Sequence, residues 1–178
     1  NGAYPEYLIN LSHDLDVTTY DLNENYRNGY KILDFARNII SPAGYEYRDF
    51  SIPKRSASGR VIDLEYSPIA IARTLKERGD YGKWFVLTRT NDQIEEISYH
   101  LKKEGVPFDT FKRSALDSKE LSDKMNEDTV KVLTIHTSKG LETDNVIVIG
   151  AKFFNIEERC VSYVAATRAR NILVWTRM

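Results

Sequence analysis

Short, strongly apolar runs alternate along the chain with segments whose apolar positions recur at helical spacing. The runs are Trp84-Phe85-Val86-Leu87, Val130 to Ile135, Val146-Ile147-Val148-Ile149 and Ile172-Leu173-Val174-Trp175, with a weaker one from Arg60 to Tyr66. Runs this apolar predict strands buried on both faces, as in a parallel sheet covered by helices. The helical segments between them carry their own end signals. Thr90 and Gln93 have capping-box spacing, Ile94, Ile97 and Leu101 follow on one face, and Gly105 is placed to stop the helix. Ser67-Pro68 reads as an N-cap and first helical position, with Gly79 as the stop. Ile32, Phe35, Ala36 and Ile39 form another stripe, which ends before Pro42. Asn155 and Glu158 start a last helix, expected to run to about Arg170 with Ile156, Cys160, Val161, Val164 and Ala165 as its apolar stripe. This βαβα order predicts an open, doubly wound α/β sheet. Ser41 to Gly59 and Ser114 to Asp128 read as loops, the second with room for one short helix.

With 178 residues, the chain has the length of one domain with a single substantial core. Its net charge of −1 gives no general pull toward polyanions. The charge is uneven, however: residues 1–128 hold 18 Lys/Arg against 22 Asp/Glu, and residues 129–178 hold 7 against 4. A polyanion site is therefore expected to be local and built from the C-terminal third. The single cysteine, Cys160, excludes an internal disulfide and fits a reducing, cytoplasmic compartment. No apolar run approaches the roughly 20 residues of a membrane span, and no signal peptide is recognisable. A start at Asn1 rather than Met suggests a processed or shortened chain.

The chemistry is incomplete on its face. No G-x-x-x-x-G-K-[ST] phosphate cradle occurs, and no apolar strand ends in the paired acidic motif that would hold Mg²⁺. Three histidines and one cysteine are too scattered for a zinc site. Three segments nonetheless carry candidate chemistry. In Leu22-Asn23-Glu24-Asn25-Tyr26-Arg27-Asn28, the Tyr26 ring can stack on a base and Arg27 can fork onto phosphate. A surface Tyr-Arg pair at a helix start would look the same. In Lys131 to Glu142, an apolar strand runs into a small polar turn where Thr137, Ser138 and backbone N–H groups can hold phosphate and Lys139 can add charge. His136 alone reads equally as a structural hydrogen-bonding residue. In Glu157 to Arg170, Arg168 and Arg170 stand near the expected helix end, where the helix dipole alone favours cations by about 0.3–1 kcal/mol.

In their order, the three segments resemble motifs IV, V and VI of UvrD/Rep-type (superfamily one) helicases. Those motifs read approximately L-x-x-N-Y-R-S, T-[IL]-H-[ST]-[AS]-K-G-L-E and E-E-R-R-L-x-Y-V-A-x-T-R-A. Leu87-Thr88-Arg89-Thr90-Asn91 and Gly105-Val106-Pro107-Phe108 resemble the family's R-[TS]-N-x-[QE] helix and G-I-P-Y turn, and Asn1-Gly2-Ala3 its G-A junction. The resemblance implies a RecA-like (P-loop NTPase-type) three-layer α/β fold with a mainly parallel sheet and no P-loop of its own. Residues 1–178 would form the second motor domain, with 1–20 as a linker from the first and 109–129 in place of the subdomain that large members insert. The protein would be an ATP-dependent DNA helicase (an ATP hydrolase of DNA repair or replication), and this chain alone would be inactive. ATP would bind between two motor domains, with the P-loop and the Mg²⁺ ligands on the first. Tyr26, Arg27, Gly140, Glu142 and Arg168 would bind ATP: Tyr26 on adenine, Glu142 on the ribose, Arg27 and Arg168 as catalytic arginine fingers. Arg89, Asn91, His136, Thr137 and Lys139 would contact single-stranded DNA. The expected partners are that strand and the first RecA-like domain, with no membrane. Cys160 replaces the second Arg of E-E-R-R. A helicase–nuclease motor, an RNA helicase, or a degenerate RecA-like interaction module remain as alternatives.

Overall fold

The computed structural model of the chain describes residues 10, 15, 18, 24–43, 58–111 and 123–177. Six strands form one sheet: β1 (Arg60–Glu65), β2 (Trp84–Thr88), β3 (Phe108–Phe111), β4 (Val130–Thr134), β5 (Thr143–Ile149) and β6 (Ala169–Arg177). Their spatial order is β1-β6-β5-β2-β4-β3, and every pairing is parallel. Among the described residues, helices α1 (Tyr30–Ile40), α2 (Pro68–Arg78), α3 (Asn91–Glu104) and α4 (Ile156–Ala166) flank the sheet.

Strand periodicity divides the core into two layers. Phe85, Leu87, Leu133, Val146, Val148, Leu173 and Trp175 point to the face covered by α1 and α4. Trp84, Val86, Val132, Ile147, Ile149 and Val174 point to the face covered by α2 and α3. Parallel strands buried on both faces need apolar residues at successive positions, which is why the runs read as continuous. The result is a three-layer α/β/α domain.

Local chemistry sets the helix ends. Thr90 and Gln93 form the reciprocal capping box, and Gly105 closes α3 in the left-handed conformation at φ 74°. Ser67 caps α2 with Pro68 in its first turn, and Gly79 ends it at φ 68°. Asn155 caps α4 by accepting from the Glu158 N–H at 2.8 Å.

Three expectations change. α4 stops at Ala166 rather than near Arg170, and Arg170 lies on β6. The last carbonyls of α4 are taken by side chains: the Thr167 hydroxyl bonds back to Tyr163 and Val164 at 3.0 and 3.1 Å, and Arg168 Nε donates to Val164 O at 3.0 Å. Ile156, expected on the apolar stripe, is 52% exposed; Ala165 is buried as expected, Val161 and Val164 pack against the core, and Ser162 and Ala166 are buried with them. Phe108, placed in a turn by its motif, opens the edge strand β3. Residues 1–3 and most of the two stretches read as loops lie outside the described residues. Among the described residues, no helix is long and apolar enough to cross a membrane.

Candidate functional site

Strand register gives the sheet two chemically different ends. Thr143 on β5 pairs with Ala169 on β6 at the amino edge. Thr88 on β2 pairs with both Ile149 and Thr134 at the carboxyl edge. The seven residues of β5 separate these edges by about 20 Å at the usual strand rise.

A cluster of charge from three distant segments sits at the amino edge. Glu142 immediately precedes β5 and takes ion pairs from Arg27 and from Arg170. The Arg170 hydrogen bond, aided by the charge of Arg27, holds the Glu142 carboxyl below the usual carboxylate range against the opposing effect of burial. Opposite the two steps of β5 from Thr143 to Asn145, β6 takes three, from Ala169 to Ile172. Such a bulge re-aims side chains locally, and it lies where Arg170 reaches Glu142.

Arg168 belongs to the same cluster but is held differently. Its guanidinium donates to Val164 O and Leu141 O at 3.0 Å each and to Thr167 Oγ1 at 3.4 Å. These partners are neutral oxygens. Burial, then the like charge of Arg27, lowers its pKa from the ordinary guanidinium value, with Glu142 acting in the opposite sense. A half-buried cation facing a second arginine is suited to an incoming anion.

The segment carrying Tyr26 and Arg27 is fastened to this edge by a residue that the motif reading passed over. Asn28 is 2% exposed and donates through Nδ2 to Thr167 O and Ala169 O, at 3.0 and 2.6 Å. Gly29 N–H adds a bond to Arg170 O at 3.0 Å. Tyr26 itself is 58% exposed, its ring available from solvent. Gly140, exposed at φ 87°, lets the chain turn just ahead of Glu142.

The carboxyl edge gathers the other group. Arg89 follows β2, and its N–H donates to Gln93 Oε1 at 2.9 Å, so the capping box of α3 also orients it. Its guanidinium forks onto Glu158 of α4, with bonds of 3.0 and 2.6 Å. This pair raises the pKa of Arg89 and lowers that of Glu158, to which Lys152 and His136 add positive field. Asn91 is the exposed first residue of α3. Thr137 meets the Thr134 hydroxyl through both its N–H (3.2 Å) and its own hydroxyl (2.9 Å), and Lys139 is exposed beyond it. Ser138 is turned inward: it is fully buried and donates to Ile135 O at 2.7 Å, so its hydroxyl is not presented to a phosphate.

Eight residues thus link the two groups, leaving β4 at the carboxyl edge and reaching the amino edge at Glu142. The general preference of ligands for carboxyl strand ends fits His136 and Thr137 but not the arginine cluster. Glu158 and Arg170, the acid and base that complete the two clusters, lay within the recognised motif but had no assigned role.

Comparison with known proteins agrees with this architecture. The model of the UvrD-like helicase C-terminal domain family matches residues 109–178. A protein of Mycoplasma pneumoniae (strain ATCC 29342 / M129 / Subtype 1) described as a "probable DNA helicase" is 27% identical over 199 residues, covering 97% of this chain and 34% of that protein. The chain therefore spans about a third of the length of that curated relative. The crystal structure of the C-terminal domain of a possible DNA helicase from Lactobacillus plantarum WCFS1 matches with a TM-score of 0.60 at 19% identity, over 86% of this chain and 88% of that one. At that identity the likeness is one of fold. With the all-parallel three-layer sheet and the motif residues gathered at its two ends, the chain has the RecA-like α/β fold, and its residues 109–178 are similar to the UvrD-like helicase C-terminal domain family.

Proposed function

We propose that this chain is the second motor half of an ATP-dependent DNA helicase or translocase, contributing its amino edge to a nucleotide site and its carboxyl edge to single-stranded DNA. The observation that carries the reading is the convergence of Arg27 and Arg168, from segments about 140 positions apart in the sequence, beside Glu142. Phosphoryl transfer depends mainly on positioning and charge, and an arginine finger contributes on the order of 10³–10⁵ in rate. In this reading Arg168 and Arg27 reach the terminal phosphate, Tyr26 stacks on the adenine, and Glu142 accepts from a ribose hydroxyl while keeping Arg170. The P-loop and Mg²⁺ ligands belong to a first RecA-like domain. Closure of the two domains then ties hydrolysis to movement along the strand.

At the carboxyl edge, Arg89, Asn91, His136, Thr137 and Lys139 serve the backbone of the strand. Such contacts are salt-sensitive and largely blind to sequence.

The test is a paired measurement on the full-length protein. Arg168→Ala should lower ATP turnover by orders of magnitude and leave single-stranded DNA affinity nearly unchanged. Arg89→Ala should weaken DNA binding, reduce its salt slope by roughly 0.7, and spare turnover measured without DNA. Loss of the same property in both variants, or of neither, would refute the assignment.

A further inference from the structure

Arg89 does not stand open at the carboxyl edge. Its Nε and one terminal nitrogen donate in parallel to the two carboxylate oxygens of Glu158, and the two side chains are only 25% and 16% exposed. A guanidinium presents the same two-pronged geometry to a pair of phosphate oxygens. Lys152 and His136 lie close enough for their charge to bear on Glu158. One carboxylate is therefore set among basic side chains on the edge assigned above to the strand.

Helix position explains part of this. An acidic residue in the first turn of α4 interacts favourably with the helix dipole. That preference does not explain why the Glu158 side chain reaches a partner 69 residues away in sequence. Glu157, its neighbour in the same turn, is exposed, and its charge reaches Arg89 only as a weaker field beside the direct pair with Glu158.

We propose that Glu158 is an internal stand-in for a DNA phosphate. It holds the Arg89 fork in a phosphate-ready geometry while no strand is bound, and a backbone phosphate displaces it when the strand arrives. Glu158 thus orients the receptor and lowers its affinity together, which suits a motor that must release each contact as it steps. The inference rests on the reading of Arg89 as a strand contact.

Fluorescence-anisotropy titration of the full-length protein with fluorescein-labelled oligothymidylate, at two salt concentrations, tests it. Glu158→Gln should bind roughly fivefold more tightly, and its affinity should fall more steeply with salt, by up to about 0.7 in slope. Glu158→Asp, which keeps the charge but shortens the reach, should show a smaller gain. Glu157→Gln removes the same charge without freeing Arg89 and should shift affinity much less. In an Arg89→Ala background the gain from Glu158→Gln should vanish. The proposal is overturned if Glu158→Gln binds no better than wild type while Arg89→Ala weakens binding, because Glu158 is then only a strut. It is overturned equally if the gain persists without Arg89, which is the signature of general charge removal. If Arg89→Ala alone binds like wild type, the assignment of Arg89 to DNA fails first and takes the proposal with it.

Discussion

Asn28 joins two parts of the chain that are far apart in sequence, because one amide nitrogen serves the carbonyls of both Thr167 and Ala169. Asn28→Ala should cost about 1–3 kcal/mol, the penalty for stranding buried polar groups. It should also lower ATP turnover of the full-length protein more than DNA affinity, because it loosens the segment that carries Arg27. Equal loss of both would point to general destabilisation. Glu142 gives a pH signature. Its folded-state pKa is depressed, so its contribution is present above the unfolded value of about 4.3 and is lost as pH falls through the folded value. Urea unfolding of wild type and Glu142→Gln should differ at neutral pH and converge in acid; a difference that grew in acid would contradict the sign. Arg27, Glu142, Arg168, Arg89 and His136 were all legible as motif letters. Asn28 was not, because its meaning lies in carbonyls 139 and 141 residues away. The Arg89–Glu158 pair was hidden for the same reason: each letter was visible, and their contact was not.

Helix starts and stops were the most legible elements, since caps act within four residues of the chain. The capping box at Thr90 and the glycines at 79 and 105 fall where local chemistry put them. The end of α4 was misjudged because Ala165 to Arg170 has good helical propensity throughout. What stops the helix is the parallel pairing of Ala169 onward with β1 and β5, a tertiary demand. The strand β3 was hidden by its length of four residues and by the turn-like Gly105-Val106-Pro107 before it. The close approach of α1 to the segment before β1 yields a test. A Cβ built on Gly29 would lie 2.5 Å from Gly59 Cα, inside any tolerable contact. Gly29→Ala should therefore destabilise the fold by about 1–3 kcal/mol through overpacking and displace the Arg27 segment. Gly79→Ala meets no atom within 4 Å and is strained only by its φ of 68°, so about 1 kcal/mol is expected. Thermal melts of the two variants should rank in that order.

Across the whole molecule, the residues proposed for nucleotide and those proposed for DNA occupy opposite ends of the same sheet. The short β4–β5 link, which crosses the full height of the sheet, runs between the two groups. The link and α4 both reach from one end to the other: α4 holds Glu158 in its first turn and abuts Arg168 at its last. A rigid rod of this kind is a direct route for coupling. The lack of a G-x-x-x-x-G-K-[ST] phosphate cradle in the sequence predicts that the isolated chain will not turn over ATP. Purified chain should release no phosphate above background, with or without DNA. Steady release abolished by Arg168→Ala would overturn that expectation.

The position of β6 also bears on how the molecule is born. β6 is an inner strand, lying between β1 and β5 although it is the last strand in sequence. As the polypeptide leaves the ribosome, β2, β3, β4 and β5 can assemble while β1 still has no neighbour to pair with. Asn28, which fastens the Arg27 segment, has no carbonyls to bind either until Thr167 and Ala169 emerge. The carboxyl edge can therefore take shape early, and the arginine cluster is completed only when β6 slots into the gap. That late, long-range insertion is the slow kind of step in folding, and it leaves the nascent chain with two open sheet edges that a chaperone would be expected to shield.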